Sequence, residues 1–398
     1  MEQCKKKMLM LGPGFGHNIE PKLRGLSQCK DFEISFWADS LNATFKEKYT
    51  YIHYIEPQIL LRKKRPFRSL ITLIKALLIL WKGDYDVIYS VGMGGFLTAF
   101  IYFFSKKKTI KVFEIFSNHF IWNARRNKTI KERLDNYIIR KADYFCQYWW
   151  GIREDFVNSF PKYENKFLMY DLAYPNIFFS NEKHCPTSNY VKEFLNKIPN
   201  NQIVCFWPRS FIPSNNHKLL LDSLGLIKDE RPELLVNFKL YLWGGNVERS
   251  YSRNAITEAI KANSLNANVE IVDHPFVPQN DIFAIEERSN FFVQIANDDI
   301  LSSYIMEMIC SGKPFILSNL RTFQFLNEKY DLNIELVEND ARAIADRIIE
   351  ILCGLNPSEL KVFESRKAKC AKLFAPSSVK PWYITLYNKL YVSGKEQC

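Results

Sequence analysis

The chain has 398 residues, of which 47% are hydrophobic, and a formal net charge of +11. One core seldom grows beyond about 250 to 300 residues, so this length indicates two domains. Nine cysteines without a CxxC pair or a Cys/His cluster support neither a disulfide framework nor a zinc site. The N-terminal MEQCKKKMLMLG has too short an apolar stretch for a secretory signal, which predicts a cytoplasmic protein.

Short apolar runs alternate with helical patterns in the first half of the chain. The runs are bounded by Gly, Asp, Asn or Ser, and they predict buried strands at Lys7–Leu11, Phe32–Trp37, Asp86–Ser90, Lys111–Phe116 and Tyr144–Tyr148. Helix-length segments separate these strands, which is typical of βαβ units.

Two glycine-rich turns follow predicted strands in this half. Gly14 and Gly16 lie in GPGFG after the first strand, and Gly92, Gly94 and Gly95 follow the third. Glycine lets a backbone approach a phosphate or a sugar closely, but a tight turn without a ligand explains the same residues. Both interpretations stay open.

The densest basic segment is LRKKRPFRSLITLIKALLILWKG, Leu61 to Gly83. Its apolar part falls short of the roughly 20 residues that span a bilayer. Two interpretations remain: a surface helix packed on a sheet with a solvated basic flank, or a face that rests on anionic lipid. No RRM, zinc-finger or KH signature accompanies the positive charge, so nucleic acid is not a predicted partner.

The second half repeats the pattern of the first. Predicted strands lie at Ile203–Trp207, Phe238–Trp243, Val269–Val272, Phe291–Ile295, Pro314–Leu317 and Ile334–Val337, with helices such as His217–Leu226 and Ala341–Leu352 between them. Tyr174 to Asn189 is rich in Pro, Asn and Ser and predicts a linker. We therefore expect an N-terminal domain at 1–180 and a second domain at 190–375.

These elements predict an α/β protein with two doubly wound, Rossmann-like parallel sheets. Parallel strands joined by helices cross over right-handed, and ligands bind outside the carboxyl ends of such strands. The expected ligand position is a cleft between the two domains.

One strand-to-helix connection carries acids and hydroxyls together, in NDDILSSYIMEMICSGKPFILSN from Asn297 to Asn319. Asp299 falls in the loop and Glu307 within the following helix, whose first turn holds Ser302 and Ser303. A helix N-terminus binds anions, whereas two acids suit the hydroxyls of a ribose and a sugar. A nucleotide sugar meets all of these demands.

The set Asp299, Glu307, Gly312 and Pro314 resembles the EX7E motif of GT-B glycosyltransferases, in particular the retaining family 4 type. Segments similar to the family lie upstream at Asp273–Asn297, downstream at Glu335–Leu352 and in the first half at Glu132–Phe156. The resemblance implies that Glu307 binds the ribose and that Asp299, which replaces the family's first Glu, holds the donor sugar. It also implies a C-terminal helix, 376–398, that packs back on the first domain.

The family also clamps the donor diphosphate with an Arg and a following Lys. Arg209 fills the first position in WPRSFIPSNNHKLLLDSL, but Asn215 stands where the Lys is expected, and the nearest cation is Lys218. Either Lys218 substitutes for the missing cation or Asn215 weakens the clamp. Family members often carry a histidine that touches the donor sugar after a strand of the first domain, which implies this role for His119.

The resemblance implies transfer of a sugar from a nucleoside diphosphate sugar to a glycan or lipid-linked saccharide, in lipopolysaccharide, capsule or another surface polysaccharide. Catalysis would be retaining and would use neither a metal nor a cofactor, since no DxD pair falls on a suitable loop. A peripheral position on the inner face of the cell membrane is expected if the basic segment meets lipid. The alternatives are an epimerase or phosphorylase on the same scaffold and a non-catalytic binding protein.

Overall fold

The computed structural model describes residues 6–12, 32–38, 52–55, 66–92, 95–115, 118–147, 150–169, 185–243, 250–272, 279–297 and 302–375. Described residues up to 169 belong to one compact unit and those from 185 onward to a second. The predicted linker falls largely outside the described residues, as do the whole predicted C-terminal helix at 376–398 and the GPGFG turn.

A parallel sheet of seven strands forms the first unit, in the order β3-β2-β1-β4-β5-β6-β7. The strands are β1 (Lys6–Gly12), β2 (Phe32–Ala38), β3 (His53–Ile55), β4 (Val87–Val91), β5 (Ile110–Glu114), β6 (Tyr144–Gln147) and β7 (Phe167–Met169). Every residue of the central strand β4 is buried, which fits a parallel sheet covered on both faces. The order reverses between β1 and β4, as in a doubly wound sheet.

The described helices of the first unit follow its strands. They are α1 (Pro66–Gly83), α2 (Phe96–Phe104), α3 (Asn118–Arg126), α4 (Ile130–Lys141) and α5 (Trp150–Ser159). No helix among the described residues of either unit is both long and apolar enough to cross a membrane.

The second unit has the same topology on a smaller scale. Its strands are β8 (Ile203–Trp207), β9 (Phe238–Leu242), β10 (Val269–Ile271), β11 (Phe292–Gln294) and β12 (Phe315–Leu317). Parallel pairing gives the orders β10-β9-β8 and β11-β12, and a parallel bridge from Cys205 to Phe291 joins the two groups. The predicted strand at Ile334–Val337 pairs with the sheet through one bridge, Ser318 to Val337.

Helices cover this second sheet on both faces. They are α6 (Asn189–Lys197), α7 (His217–Glu230), α8 (Ser250–Ala262), α9 (Gln279–Arg288), α10 (Ser303–Cys310), α11 (Arg321–Tyr330), α12 (Ala341–Cys353) and α13 (Pro357–Phe374). Apolar side chains of α6 and α9, including Val191 and Ile285, pack against Phe206 and Tyr241 of the sheet in one buried cluster. The predicted α/β class with two parallel-sheet units is confirmed.

Candidate functional site

Strand order in the second unit reverses between β8 and β11, which are joined by the Cys205–Phe291 bridge. The indole N–H of Trp207, at the end of β8, donates to the side-chain carbonyl of Gln294 in β11 at 3.1 Å. Connections leave the two strands in opposite directions here, and the crevice they open is the usual ligand position of such a sheet. The residues after β8 and β11 therefore form the candidate site.

Arg209 follows β8 and is held from two sides. Its Nη1 donates to the hydroxyl of Ser302 at 3.3 Å, and its Nη2 donates to the side-chain carbonyl of Asn215 at 3.5 Å. Ser302 stands at the start of α10 and Asn215 in a 3₁₀ turn, Pro213–Asn215. The guanidinium is thus fixed at a helix N-terminus, where it and the helix dipole attract the same kind of ligand.

Asn215 and Lys218 occupy different surroundings. The Asn215 side chain is buried and donates to the backbone carbonyl of Ser210 at 2.7 Å, so it fixes the loop that carries Arg209. Lys218 is exposed on α7, with its ammonium group 2.5 Å from the Asp222 carboxylate one turn later. The structure brings Asn215 to Arg209 and places Lys218 in an exposed helical ion pair.

His217, the first residue of α7, is a site residue that the sequence did not reveal. Its ring is buried, stacks on Trp207 with centroids 4.3 Å apart, and meets Phe211 edge-on at 5.2 Å. Burial lowers the pKa of His217 to about 4, although a hydrogen bond to the backbone carbonyl of Arg209 opposes the shift. His217 is therefore neutral at physiological pH and fixes the main chain of Arg209.

Three asparagines tie the ends of the strands together. Asn216 and Asn297 exchange side-chain hydrogen bonds at 2.6 and 2.7 Å, and Asn216 also donates to the carbonyl of Ile295 at 3.0 Å. Asn339 donates to the carbonyl of Ala296 at 3.0 Å. Asn216 has φ 54° and ψ 33°, a left-handed conformation that asparagine tolerates well. The Pro-Ser-Asn-Asn run is typical of a turn, but no pattern in the sequence indicates which residues hydrogen-bond to Asn216.

Helix α10 begins beside Arg209. Ser302 is its N-cap residue and Ser303 its first helical residue. Within the described part of the chain, the Ser302 hydroxyl makes no capping hydrogen bond to α10. First-turn N–H groups have no acceptor inside a helix, and together with the helix dipole they favour an anion. Tyr304 fixes this helix to the sheet by donating to the carbonyl of Phe206 at 2.9 Å.

Glu307 lies further along α10, on its buried side. Its carboxyl group faces that of Glu286 in α9, which is also buried. Burial raises the pKa of Glu286 well above its usual range, and the negative charge of Glu307 and a hydrogen bond with it raise the pKa further. The shift favours the protonated form of Glu286, which can donate a hydrogen bond to Glu307. The sequence analysis did not identify Glu286.

Lys313 stands next to this acid pair. Its ammonium group donates to the backbone carbonyls of Glu286, Glu287 and Ser289 at 3.0, 2.6 and 2.6 Å. Burial lowers the pKa of Lys313 to about 8. A cation placed on the free carbonyls at the end of α9 stabilises the helix terminus.

The candidate residues of the first unit lie in separate places. His119 is exposed on α3, with its ring edge-on to Trp122 at 5.2 Å. Gly92 and Gly95, after β4, have φ of 62° and 97°. The Gly95 N–H donates to the buried carboxyl of Asp135 in α4, whose pKa burial raises to about 6. Asp135 therefore contacts the backbone of Gly95, the N-cap residue of α2.

Four predicted positions, Gly14, Gly16, Gly94 and Asp299, fall outside the described residues. Of the others, Arg209, Asn215 and Ser302 come together in the second unit through direct hydrogen bonds. Ser303 and Glu307 share a helix with Ser302.

Comparisons with known proteins bear on the fold. No family model matches the chain, and no curated protein matches it. A glycosyltransferase from Rickettsia africae has a TM-score of 0.69 at 15% identity, covering 97% of this chain and 98% of its own. A sucrose-phosphate synthase from Thermosynechococcus elongatus has a TM-score of 0.70 at 15% identity, covering 98% and 100%. HepE from Anabaena, in complex with UDP and glucose, has a TM-score of 0.67 at 14% identity, covering 99% and 100%.

These neighbours have the GT-B fold, built from two Rossmann-like units. The likeness extends over nearly the whole of each chain. The predicted fold, α/β with GT-B architecture, is confirmed.

Proposed function

We propose that this protein is a glycosyltransferase that moves a sugar from a nucleoside diphosphate sugar to an acceptor hydroxyl. The observation that carries the proposal is Arg209, held between Asn215 and Ser302 at the N-terminus of α10. A guanidinium beside free helix N–H groups suits a diphosphate. A solved structure of the same fold contains UDP and glucose, which supports this class of ligand.

The proposed chemistry breaks the bond between the sugar's anomeric carbon and the diphosphate oxygen while the acceptor oxygen bonds to that carbon. Negative charge grows on the departing diphosphate, and Arg209 and the N–H groups of α10 stabilise it. One such donor contributes about 10²- to 10³-fold in rate in well-studied cases. We infer a retaining, hexosyltransferase-type course in which the diphosphate takes the acceptor's proton, so neither a protein base nor a metal is needed.

Other residues take supporting parts in this proposal. Glu307 accepts hydrogen bonds from the ribose hydroxyls, with Glu286 holding its carboxylate in place. By the resemblance to GT-B glycosyltransferases, we assign Asp299 and His119 to binding of the transferred sugar, and Gly14 and Gly16 to binding of the donor. Whether Lys218 joins the diphosphate clamp is decided by mutation.

We place the reaction in the cytoplasm, in the assembly of a bacterial surface polysaccharide or glycolipid such as lipopolysaccharide or capsule. The acceptor is then a glycan or a saccharide on a lipid carrier presented at the inner face of the membrane. A net charge of +11 favours an anionic carrier of this kind.

A donor screen tests the proposal. Thermal shift with UDP, GDP, ADP and dTDP sugars should single out one nucleotide, since a bound ligand raises the melting temperature with the logarithm of its concentration over Kd. With that donor and a lipid-linked acceptor, we expect free nucleoside diphosphate and a glycoside that retains the anomeric configuration by NMR.

Each competing function gives a different result in the same assay. An epimerase converts the donor into an isomer without acceptor. A binding protein shifts the melting temperature and converts nothing. Either result contradicts the proposed transfer, and an inverted product contradicts its retaining course.

A further inference from the structure

Helices α1 and α2 of the first unit expose an unusual number of large apolar side chains. Trp81 is 78% exposed and Phe103 66%. We call this surface the α1–α2 face, and its exposed apolar residues are Ile71, Ile74, Leu77, Leu78, Trp81, Phe96, Phe103 and Phe104. Large contiguous apolar patches on soluble proteins mark sites of protein or membrane contact.

Helix α1 carries large apolar side chains on its exposed side, unlike an ordinary surface helix. Its buried positions include the small residues Thr72 and Ala76, whereas Ile74, Leu78 and Trp81 are exposed. A surface helix of a globular protein normally turns its apolar stripe toward the core. The sequence of α1 therefore fits an apolar environment outside the protein as well as the core beneath it.

A groove runs between the end of α1 and the end of α2. It has a volume of about 410 Å³ and is lined by Ile74, Leu77, Leu78, Leu80, Trp81, Phe104 and Lys106. The lining is hydrocarbon and aromatic apart from one ammonium group. Such a groove suits a hydrocarbon chain that ends in an anionic group.

Positive charge predominates around the face. Helix α1 contains Arg68, Lys75 and Lys82 and no Asp or Glu, and α2 carries no charged residue. Lys82 and Lys106–Lys108 are exposed at its edge. Asp84, the acid next to them, is neutralised by Lys106 at 2.6 Å. The basic run at 62–65 lies outside the described residues.

We propose that the α1–α2 face docks on an anionic phospholipid bilayer, with the groove between Trp81 and Phe104 taking an acyl chain. Aromatic side chains favour the membrane interface, and each Lys or Arg near an anionic surface strengthens binding. A second copy of the chain is a poorer occupant, because two identical basic faces repel each other. The inference goes beyond the proposed sugar transfer and does not depend on it.

Vesicle flotation with the full chain tests the proposal. The protein should float with vesicles of phosphatidylcholine and phosphatidylglycerol at low salt and bind much less to phosphatidylcholine alone. The double variant Trp81→Ser/Phe103→Ser should lower the partition coefficient at least about tenfold, given the apolar area that leaves the membrane. Lys82→Glu/Lys107→Glu should abolish the preference for anionic vesicles.

A matched control removes an exposed apolar residue elsewhere in the same unit. Ile130, 78% exposed on α4, is changed to Ser and should leave flotation unchanged, and melting temperatures confirm that all variants fold. The proposal is overturned if the wild type does not float with anionic vesicles. It is also overturned if Trp81→Ser/Phe103→Ser floats as well as the wild type. A concentration-dependent dimer that the double variant dissociates, without vesicle binding, overturns it in favour of a second copy.

Discussion

Arg209 owes its position to three neighbours that come from different parts of the second unit. Asn215 and Ser302 accept hydrogen bonds from its guanidinium, and His217 holds its backbone carbonyl. A charge fixed in advance stabilises a developing negative charge without the cost of reorganisation during the reaction. The neighbours of Arg209 should therefore matter to turnover even where they do not touch the ligand.

Asn215 and Lys218 should differ sharply when each is changed to Ala. Asn215 is buried beside Arg209, whereas Lys218 is exposed and pairs with Asp222. We expect Asn215→Ala to lower kcat/KM roughly tenfold, because a buried hydrogen bond to a charged group is worth about 1.5 to 3 kcal/mol. Lys218→Ala should stay within about twofold. Steady-state kinetics with the identified donor measure both.

A double-mutant cycle shows whether Asn215 acts through Arg209. In an Arg209→Ala background, Asn215→Ala should lower kcat/KM little further, because the guanidinium that Asn215 positions is gone. Additive losses would contradict a positioning role. If Lys218→Ala lowers kcat/KM more than Asn215→Ala does, then Lys218 and not Asn215 is the second residue that binds the diphosphate.

His217 should make stability depend on pH. Its pKa is lowered to about 4 in the folded state, from 6.5, so the unfolded chain binds the extra proton between these values. The stability that the neutral ring contributes is complete above pH 6.5 and is lost as pH falls toward 4. The full effect is on the order of 3 kcal/mol. Denaturant unfolding of wild type and His217→Phe across pH 4 to 7 measures this slope.

His217→Phe keeps an aromatic ring against Trp207 but removes the titrating imidazole. The free energy of unfolding of this variant should therefore fall less between pH 7 and pH 4 than that of the wild type, by about the 3 kcal/mol given above. Asp135 changes stability with pH in the opposite direction to His217. The pKa of Asp135 is raised to about 6 in the folded state, so its contribution to stability is lost as pH rises through 6. His119→Gln, at an exposed position, serves as the control and should keep the wild-type slope. Equal slopes for wild type and His217→Phe would contradict a buried neutral His217.

At the scale of elements, α9 and α10 meet through two buried carboxyl groups, those of Glu286 and Glu307, joined by a hydrogen bond. Glu286 and Glu307 are buried on neighbouring helices, and Lys313 closes the end of α9. Removing one partner of a buried hydrogen bond leaves the other unsatisfied, which costs about 1 to 3 kcal/mol and more for a charged group. We expect a loss of that order for Glu286→Ala, measured as the free energy of unfolding.

The amide of Glu286→Gln still donates to Glu307, so this variant should unfold within about 1 kcal/mol of wild type. Glu287→Ala, exposed on the same helix, is the control and should change stability by less than about 0.5 kcal/mol. Equal losses for the Gln and Ala variants at Glu286 would show that the proton on Glu286 does not hold the two helices.

Strands and helices with a clear hydrophobic pattern were predictable from the sequence, whereas edge strands and long-range side-chain contacts were not. The pattern predicted β8 over Ile203–Trp207, the range that the structure has. It missed β3 and β7, the three-residue strands at the two edges of the first sheet, although it found strands of the same length in the second unit. The asparagine contacts join residues 81 positions apart in sequence, and side-chain partners at that distance leave no local signal.

At the scale of the molecule, two sheets of the same topology follow one another along the chain, each with its order reversed beside its first strand. Alternating strands and helices determine that architecture, which is why the sequence predicted it. The family resemblance identified Arg209, and the predicted strand-to-helix connection identified Ser302; each follows the carboxyl end of a strand where the order reverses, and their roles stay predictions. The partners that hold Arg209 depend on packing and emerged only from the structure.

The central claim is that Arg209 and the N-terminus of α10 bind the diphosphate of a nucleotide sugar. Isothermal titration of UDP, GDP and ADP into the full chain tests it most directly. The variant is Arg209→Ala and the control is Arg231→Ala, because Arg231 is an exposed arginine of the same unit that pairs with Glu233 at 2.6 Å. One diphosphate should bind wild type and Arg231→Ala equally, and Arg209→Ala about 10- to 100-fold more weakly. Undiminished binding by Arg209→Ala, or no binding of any diphosphate to the wild type, would contradict the claim.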